Sequence, residues 1–577
     1  MKYAEGEKYL WHLPEEFGVE VLDVAASYNL SVPIVHTLFS RGFQTKDQID
    51  SFLFSSFEKD VADSNLLKDA NKALDRIERA IKDKEKILIF GDYDVDGMTS
   101  TSLMLSSLIP LGANINFVLP NREKDGYGLS KKIIERCAQN NYKLIITVDN
   151  GITAIEPVLY AKQLGLDVII TDHHRPHDNV PDAIAVVNPA QEDCAYPYKS
   201  FAGVGVTFKL MSMLYARNKK TLPIKVYELM LLGTIADVVP LTGENRFWVR
   251  HCLNFVNKNS SLAFDVLRKN GQIAKPFISS TDIGFGIAPQ LNALGRLEDP
   301  RKSVKFLIGS DETEIHNIGQ ILFEMNQARK QVERSIYDQI VEKINQGEID
   351  LSKENIIIAA SDKWPAGVIG LVASRLVSTY GKPALLFHLT KDGFAKGSCR
   401  SISEFNIFNA LAKNKDLLKS FGGHSFAAGL SLKVENLRLL KDSLERIIAD
   451  ELTEMDLRQK IKLDAVVQMP EITKKIVDDL QHLEPFGQEN RAPNFYLKDV
   501  SLVQKPKMMK DLHVKCSIFA DGVIKPVVFF NRPELYELFM AQEQESFDLA
   551  VNISENHWNN NISVELLGLD VAFKKKD

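Results

Sequence analysis

Cysteine is scarce and scattered in this chain. Its 577 residues hold five, Cys137, Cys194, Cys252, Cys399 and Cys516, and no two form a C-x-x-C pair. That excludes a zinc ribbon and a disulfide framework, and it predicts a reducing compartment. Long hydrophobic runs are missing too: no stretch is apolar enough to span a bilayer, and Met1-Lys2-Tyr3-Ala4-Glu5 has no signal-peptide pattern. The expectation is a cytoplasmic protein with no membrane association. An excess of positive charge is also lacking. Lys and Arg number 70 against 76 Asp and Glu, a net charge of −6, so any nucleic-acid site must be a local groove. The glycine-rich run Phe201-Ala202-Gly203-Val204-Gly205-Val206 lacks the full G-x-G-x-x-G spacing. It reads as close helix packing and not as a dinucleotide site.

Against these absences, four aspartate-bearing stretches stand out. Phe90-Gly91-Asp92-Tyr93-Asp94-Val95-Asp96-Gly97 follows the apolar run Ile87–Phe90 and precedes a helix start at Met98. In an extended chain alternate side chains share a face, so Asp92, Asp94 and Asp96 would crowd at the carboxyl end of a strand. Three carboxylates that close repel unless cations neutralise them. Further buried-looking strands at Leu144–Val148, Val168–Thr171 and Ala185–Val187 alternate with helical patterns. That predicts a right-handed parallel sheet with helices on both faces. Two of these strands run into Asp149-Asn150-Gly151 and Asp172-His173-His174, and an apolar helix over Val226–Ile235 runs into Asp237-Val238-Val239-Pro240-Leu241. A parallel sheet gathers its strand ends on one edge, where ligands bind. Carboxylates with an imidazole and no thiolate suit Mn²⁺ or Mg²⁺, and there are enough for two ions, a standard device for phosphoester hydrolysis. Taken singly, each Asp is as readily a turn or helix-cap residue. The recurrence at strand ends is what points to a metal site.

D-Y-D-V-D-G, V-D-N-G, D-H-H and A-D-V-V-P-L, in this order, resemble the four motifs of the DHH phosphoesterase superfamily. Within it, the chain after residue 60 resembles the RecJ family of single-strand-specific 5′→3′ exonucleases. The resemblance implies that Asp94, Asp96, Asp149, His173 and Asp237 bind two Mn²⁺ or Mg²⁺ ions, with Asp149 bridging. Asp92 joins the set, at a position where many small-molecule relatives carry histidine. His174 would face the scissile phosphate beside the catalytic Asp149, and Asp172 would orient the imidazoles. The implied substrate is single-stranded DNA, in repair and recombination, with a single-strand-binding protein and a DNA helicase as partners.

Other stretches fit around this centre. Arg122, in the loop Pro120–Gly128, is a phosphate-contact candidate or simply part of a solvated loop. Asn292 and Arg296 stand at i, i+4 spacing on one helix face, in a segment resembling the P-x-L-N-A-x-G-R element whose arginine lines the entrance for DNA. From Asp311 to about Asn345 apolar residues recur at helical steps, predicting one long connecting helix. A second α/β domain begins near Ile356 and carries Ser374-Arg375, Gly397-Ser398-Cys399-Arg400-Ser401 and Phe421-Gly422-Gly423-His424. Glycines beside Arg, Ser and His suit phosphate capture, or else tight turn packing. By resemblance to the DHH-associated domain, Arg375, Ser398, Arg400 and His424, with Gly422 and Gly423, would hold the 5′-terminal region of the strand. The chain departs from the family pattern at Pro365, Cys399 and Glu489-Asn490-Arg491.

From about Lys460 the apolar period switches to two, and some five short strands fit an OB-type barrel. Lys505, Lys507, Lys510 and Lys515 supply local charge there, and Trp558 with Asn559-Asn560-Asn561 suggests a loop tip. The expected fold is α/β: a doubly wound parallel-sheet DHH domain, a long connecting helix, a second α/β DHH-associated domain and a C-terminal OB-type β-barrel. The expected boundaries are a helical lead-in over 1–60, the metal-binding domain over 61–250, and helices including the long one over 251–350. The substrate-binding domain follows over 351–455 and the barrel over 456–577.

Overall fold

The computed structural model describes residues 2–120, 128–177, 179–297, 299–541, 546–558 and 561–574. They divide into two compact units, one of residues 50–327 with 483–492, the other of 1–49, 328–482 and 493–577.

The first unit is built on five strands: Lys86–Phe90 (β1), Asn114–Val118 (β2), Tyr142–Val148 (β3), Asp167–Thr171 (β4) and Ala185–Val187 (β5). All pair in parallel, in the order β2-β1-β3-β4-β5. Strand alternation sends Ile87, Ile89, Leu144, Ile146, Val148 and Ile169 into one core. Leu88, Phe90, Ile145, Val168 and Ile170 enter another on the opposite face. Helices Val95–Leu108 (α1), Gly203–Arg217 (α2) and Lys225–Ala236 (α3) supply the first core. Two helices, Lys131–Gln139 and Ile155–Gln163, supply the second. The strand order reverses between β1 and β3, and in a doubly wound sheet that switch point opens a crevice beyond the carboxyl ends. Strand β2 escapes the sequence reading because it lies at the edge. Its Asn114-Ile115-Asn116 alternation leaves no fully buried residue to announce it.

The helix Ala288–Leu297 (α4) follows a π-helical turn at Ile283–Ile287. Residues 483–492 return to this unit from far along the chain. Leu241 N donates to Gln488 O at 2.8 Å, Ser280 Oγ to Phe486 O at 2.6 Å and buried Arg246 Nη1 to Leu483 O at 2.9 Å. The 34-residue helix Glu312–Asn345 (α5) gives Ile315, Ile318 and Leu322 to the core of this unit.

In the second unit, strands Ile357–Ser361 (β6), Ala384–Leu389 (β7), Phe394–Arg400 (β8), Leu418–His424 (β9) and Ala427–Lys433 (β10) form a mixed sheet. Its order is β9-β10-β8-β7-β6. The helix Ala366–Tyr380 (α6), with Ile336 and Ile340 of α5, packs on Ile357, Ala359, Ala384 and Leu386 on one face. The other face buries Leu385, Phe387, Ala395, Cys399, Ala428 and Leu430 against helices Ile407–Lys413 and Leu437–Glu451. Cys399 is therefore a core residue, and Pro365 is the N-cap of α6.

Strands Phe495–Leu502 (β11), His513–Ala520 (β12), Val523–Phe529 (β13), Phe547–Trp558 (β14) and Asn561–Phe573 (β15) follow. They close into a ring, β11-β14-β15-β13-β12, sealed by Ser501 opposite Phe519 and Leu502 opposite Ile518. Residues 1–53 carry helices Glu20–Tyr28, Val32–Ser40 and Lys46–Leu53, and also two strands that no local pattern announces. Tyr3–Glu5 and Leu10–His12 form a three-stranded sheet with Lys460–Lys462. Buried Asp570 of the barrel accepts from Trp11 Nε1 at 2.9 Å and from the backbone of Lys8 and Tyr9. Among the described residues, no helix is long and apolar enough to cross a membrane.

Candidate metal centre and phosphate-binding face

Asp92, Asp94 and Asp96 do meet at the end of β1, but not along an extended strand as the sequence suggested. The chain turns at once into α1, where Asp94 is the N-cap and accepts from Gly97 N at 3.0 Å. Asp96 lies inside the first turn. A strand-to-helix turn, and not a pleat, therefore places the three carboxylates at the end of β1.

Asp96 is buried and accepts from Gly203 N at 2.6 Å and Val204 N at 2.8 Å, the first amides of α2. The helix N-terminus thus spends its donors on a protein carboxylate. Burial, and then the charge of Asp94, push the Asp96 carboxyl up to about 7. Asp149 follows β3 at φ +61°, and its N–H donates to Thr171 O at 3.0 Å. Burial, then the charges of Asp96, Asp94, Asp237 and Asp92, push it well above the carboxylate range. Asp237 caps the C-terminal end of α3 and is raised likewise, by burial and then by Asp96 and Asp94.

His173 closes the cluster. Its Nε2 lies 3.2 Å from Asp149 Oδ1, 3.7 Å from Asp237 Oδ2 and 3.9 Å from Asp96 Oδ2. That nitrogen is buried and has no hydrogen-bond partner among the described residues. Burial, then the neighbouring His174, hold its pKa down to about 4, so the imidazole is neutral and offers a lone pair. A neutral imidazole nitrogen aimed into a set of mutually repelling carboxylates is the donor arrangement a divalent cation completes. Three ligand groups fall within 4.8 Å: Asp92, Asp94 and Asp149; Asp96, His173 and Asp237; Asp149, His173 and His174. Asp149 and His173 each belong to two of them. The residues present fit a pair of hard or borderline cations.

Asp172 is the anchor behind the imidazoles. Fully buried, it accepts from Ile152 N at 2.9 Å, His173 N at 2.7 Å, His174 N at 3.1 Å and His174 Nδ1 at 2.7 Å. Burial opposes the charge on His174, but the Asp172 hydrogen bond and the nearby carboxylates outweigh it and raise the imidazole to about 9. His174 is therefore a fixed cationic donor. Two supporting residues were not identified from sequence. Asn188 Nδ2 donates to His174 O at 2.8 Å, and Asn150 Nδ2 donates to Val148 O at 2.9 Å and Phe90 O at 3.3 Å. Asn188 directly follows β5, so the strand-end signal that found Asp149 and His173 applied to it as well. Gly203 packs directly on Asp149, which accounts for the glycine-rich start of α2 as close packing.

Helix α4 passes close to the aspartate loop. A Cβ on Gly295 would lie 2.3 Å from Tyr93 O. Asn292 is half-buried in this helix, and Arg296 lies one residue after the contact. Arg122 lies outside the described residues. In the second unit, register sets Ser398 opposite Gly429 and Gly429 opposite Gly422; Arg400 is opposite Ala427 and Ala427 opposite His424. Ser398, Arg400, Gly422 and His424 therefore share the face turned away from the Cys399 core. Gly422 and Gly429 have open space above them, and Gly370 of α6 stands over Ser398 and Arg400 as a wall. Gly423, at φ +136°, bends β9 beside His424. Arg375 lies farther along α6. Five residues, about 140° around the helix, separate it from Gly370, and its guanidinium lies 3.8 Å from the Tyr337 ring centroid.

Three family models match the chain: the DHH family N-terminal domain over residues 86–234, the DHHA1 domain over 353–450 and the RecJ OB domain over 463–570. The single-stranded-DNA-specific exonuclease RecJ of Bacillus subtilis is 36% identical over 98% of this chain and 71% of its own length. The Escherichia coli RecJ is 30% identical over 93% and 95%. The crystal structure of Thermus thermophilus RecJ in complex with Mn²⁺ superposes with a TM-score of 0.83 at 25% identity, covering 98% of this chain and 80% of that one. With its candidate ligand cluster at the β1/β3 switch point, all three domain types present and relatives at 30–36% identity over nearly its whole length, the chain belongs to the RecJ family.

Proposed function

We propose that this chain is a single-stranded-DNA-specific exonuclease that hydrolyses phosphodiester bonds from the 5′ end, in DNA repair and recombination. The observation that carries the reading is the orphaned Nε2 of His173 among Asp149, Asp237 and Asp96. Asp92, Asp94, Asp96, Asp149, His173 and Asp237 would hold two Mn²⁺ or Mg²⁺ ions, with Asp149 shared between them. When bound, such ions supply Lewis-acid activation of water and of the phosphoryl group.

The protein residues have separate tasks. Asp172 holds the His174 imidazole, which stays protonated, and the backbone of His173, whose buried imidazole stays neutral as a ligand. His174 then donates to a phosphate oxygen whose charge grows as the bond breaks, without having to reorganise. Asn292 and Arg296 on α4 would take phosphates of the incoming strand beside the Tyr93 loop. Ser398, Arg400, Gly422, Gly423 and His424 would hold the terminal phosphate on a floor that lacks side chains, which lets the backbone approach. The barrel would grip the strand through Lys515 and Phe519 on the exposed face of β12, the usual ligand face of such a barrel. A single-strand-binding protein and a DNA helicase are the proposed partners.

The test is a single-stranded oligonucleotide labelled at its 3′ end, incubated with Mn²⁺. Progressive shortening from the 5′ end, abolished by chelator and by Asp149→Ala, is the expected result. Hydrolysis of pyrophosphate or dinucleotides with an intact oligonucleotide would overturn it, as would tight binding without cleavage under any divalent metal.

A further inference from the structure

At their carboxyl ends β1 and β3 part. Their ladder closes with Phe90 opposite Thr147. The next amides turn outward: Gly91 N donates to Val118 O of β2 at 3.1 Å, and Asp149 N donates to Thr171 O of β4 at 3.0 Å. One ligand group straddles the gap that opens. Asp92 and Asp94 stand on the β1 side and Asp149 on the β3 side, with ligand atoms within 4.8 Å of one another. The other two groups both include His173, which follows β4. In the group of Asp96, His173 and Asp237, the Gly203 and Val204 amides hold Asp96, and Asp172 holds the His173 backbone.

The Asn150 side chain crosses the gap. Its Nδ2 donates to Phe90 O at 3.3 Å and to Val148 O at 2.9 Å, the carbonyls just before Gly91 and Asp149. A side-chain amide thus joins two strand ends whose own next amides point elsewhere. Asn150 is buried, and its carbonyl accepts from Thr147 Oγ1 at 2.7 Å. Thr147 O in turn accepts from Thr171 Oγ1 at 2.8 Å. The turn closes on Gly151 at φ +111°, where a Cβ would lie 2.5 Å from Thr147 Oγ1. Two carbonyl acceptors demand the nitrogen end of the amide. That orientation leaves Oδ1 buried with no hydrogen-bond partner among the described residues. An unpaired buried acceptor is destabilising, so it is the bridge made by Nδ2 that accounts for an amide at this position.

We propose that Asn150 is a positioning residue for one of the two ions. By tying Phe90 O to Val148 O it sets the separation of Asp92 and Asp94 from Asp149, and with it the affinity of the ion those three would hold. The ion at Asp96, His173 and Asp237 keeps its ligands without this brace. The proposal rests on the reading of the cluster as a two-ion site.

The experiment titrates full-length, metal-free protein with Mn²⁺ and follows it by electron paramagnetic resonance. The free-ion signal counts bound ions, and the low-temperature spectrum shows whether two of them are close enough to couple, as ions about 3.5–4 Å apart are. The parent should bind two coupled ions. Asn150→Ala should bind the first as the parent does and the second about 10- to 100-fold more weakly, with the coupled signal lost at two equivalents. Asn150→Asp, which keeps the shape and loses the donor, should do the same, and it carries the test if Asn150→Ala fails to fold. Tyr215→Phe removes the buried bond to Ser107 O at the far end of α1, and should lower stability while keeping both ions. An unchanged titration in the Asn150 variants overturns the brace, and equal weakening of both ions overturns its selectivity. Loss of the second ion in Tyr215→Phe overturns it too, because general destabilisation would then explain the effect. A second ion held by Asn150→Asp at least as tightly as by the parent would make position 150 a ligand and not a brace. A parent that binds fewer than two ions would overturn the two-ion reading itself, and the proposal with it.

Discussion

Replacing Gly203 with alanine should damage the metal centre without removing any ligand. The added methyl would lie 2.6 Å from Asp149 Cβ, 2.8 Å from its Oδ1 and 2.9 Å from its Cα. None of these is the far end of a flexible chain. Contacts between real Cβ atoms and their neighbours essentially never fall below 3.0 Å, so the pair must part by at least about 0.4 Å. Asp149 cannot retreat freely, because its N–H is bonded to Thr171 O and its backbone is held at positive φ. Gly203 cannot either, because its N–H holds Asp96. The displacement is thus shared between two ligands. Overpacking of this kind costs about 1–3 kcal/mol of stability. A misplacement of about 1 Å can cost about 10²-fold in rate, so a shift of half that size should lower kcat by roughly tenfold or more. Turnover on a labelled single strand and Mn²⁺ affinity by calorimetry would both be measured, with Gly205→Ala as the control. The control methyl meets the side chain of Phe201 at 2.9 Å and touches no ligand itself, so its loss of metal affinity should be smaller than that of Gly203→Ala. Gly203→Ala with wild-type turnover and metal affinity would refute the reasoning, even if its stability fell.

Asp172→Asn should lower metal affinity or turnover by about 10- to 100-fold, the usual effect of removing a partner behind metal ligands. In the metal-free variant, a histidine NMR titration should show the His174 pKa falling from about 9. The stability of the metal-free protein should decline as pH rises above about 4. Asp96, Asp149 and Asp237 all have raised folded-state pKa values, so they bind more protons folded than unfolded. Their contribution is complete below the ordinary carboxylate pKa and is lost as pH climbs through their folded values, with about 1.4 kcal/mol at stake per tenfold change in proton affinity. Denaturant melts from pH 4 to 9 with and without Mn²⁺ would show this, and a flat metal-free profile would contradict it. Phe519→Ala, on the exposed outer face of β12, should weaken single-strand binding by about 1–3 kcal/mol if a base stacks there, with little change in kcat at saturating DNA.

The ligands are legible in the sequence because chemistry fixes their residue types and the sheet fixes their places. An Asp or His directly after a buried apolar run stands at a strand end, and parallel strand ends converge. The second layer is less legible. Asn188 carries no distinctive type, and Asp172 draws notice only through its neighbours. The sequence makes the aspartate loop look extended, because local periodicity cannot tell a pleat from the first turn of a capped helix. The family pattern groups Arg375 with Ser398 and Arg400, and the fold also seats its guanidinium on the Tyr337 ring, a contact that no sequence spacing announces. The strand Leu10–His12 pairs with Tyr3–Glu5 beside it and with Lys460–Lys462 about 450 residues away, and no window along the sequence can contain that second partner. The barrel, in contrast, announces itself by a period of two, clearest in β12, where exposed Lys515 and Phe519 alternate with buried Val514, Cys516, Ile518 and Ala520.

The return of residues 483–492 to the first unit has a consequence for biosynthesis. A ribosome delivers β1 through α4 early, together with every metal-ligand candidate. Leu241 N–H, Ser280 Oγ and the Arg246 guanidinium must then wait for acceptors at Gln488, Phe486 and Leu483. Nearly two hundred residues separate the end of α4 from those acceptors, about 10–40 s of synthesis at 5–20 residues per second. Throughout that interval the nascent unit has its ligands but not the strap that ties the end of α3 to its neighbours. Full closure of this unit is therefore deferred until the whole of the DHHA1 domain has emerged.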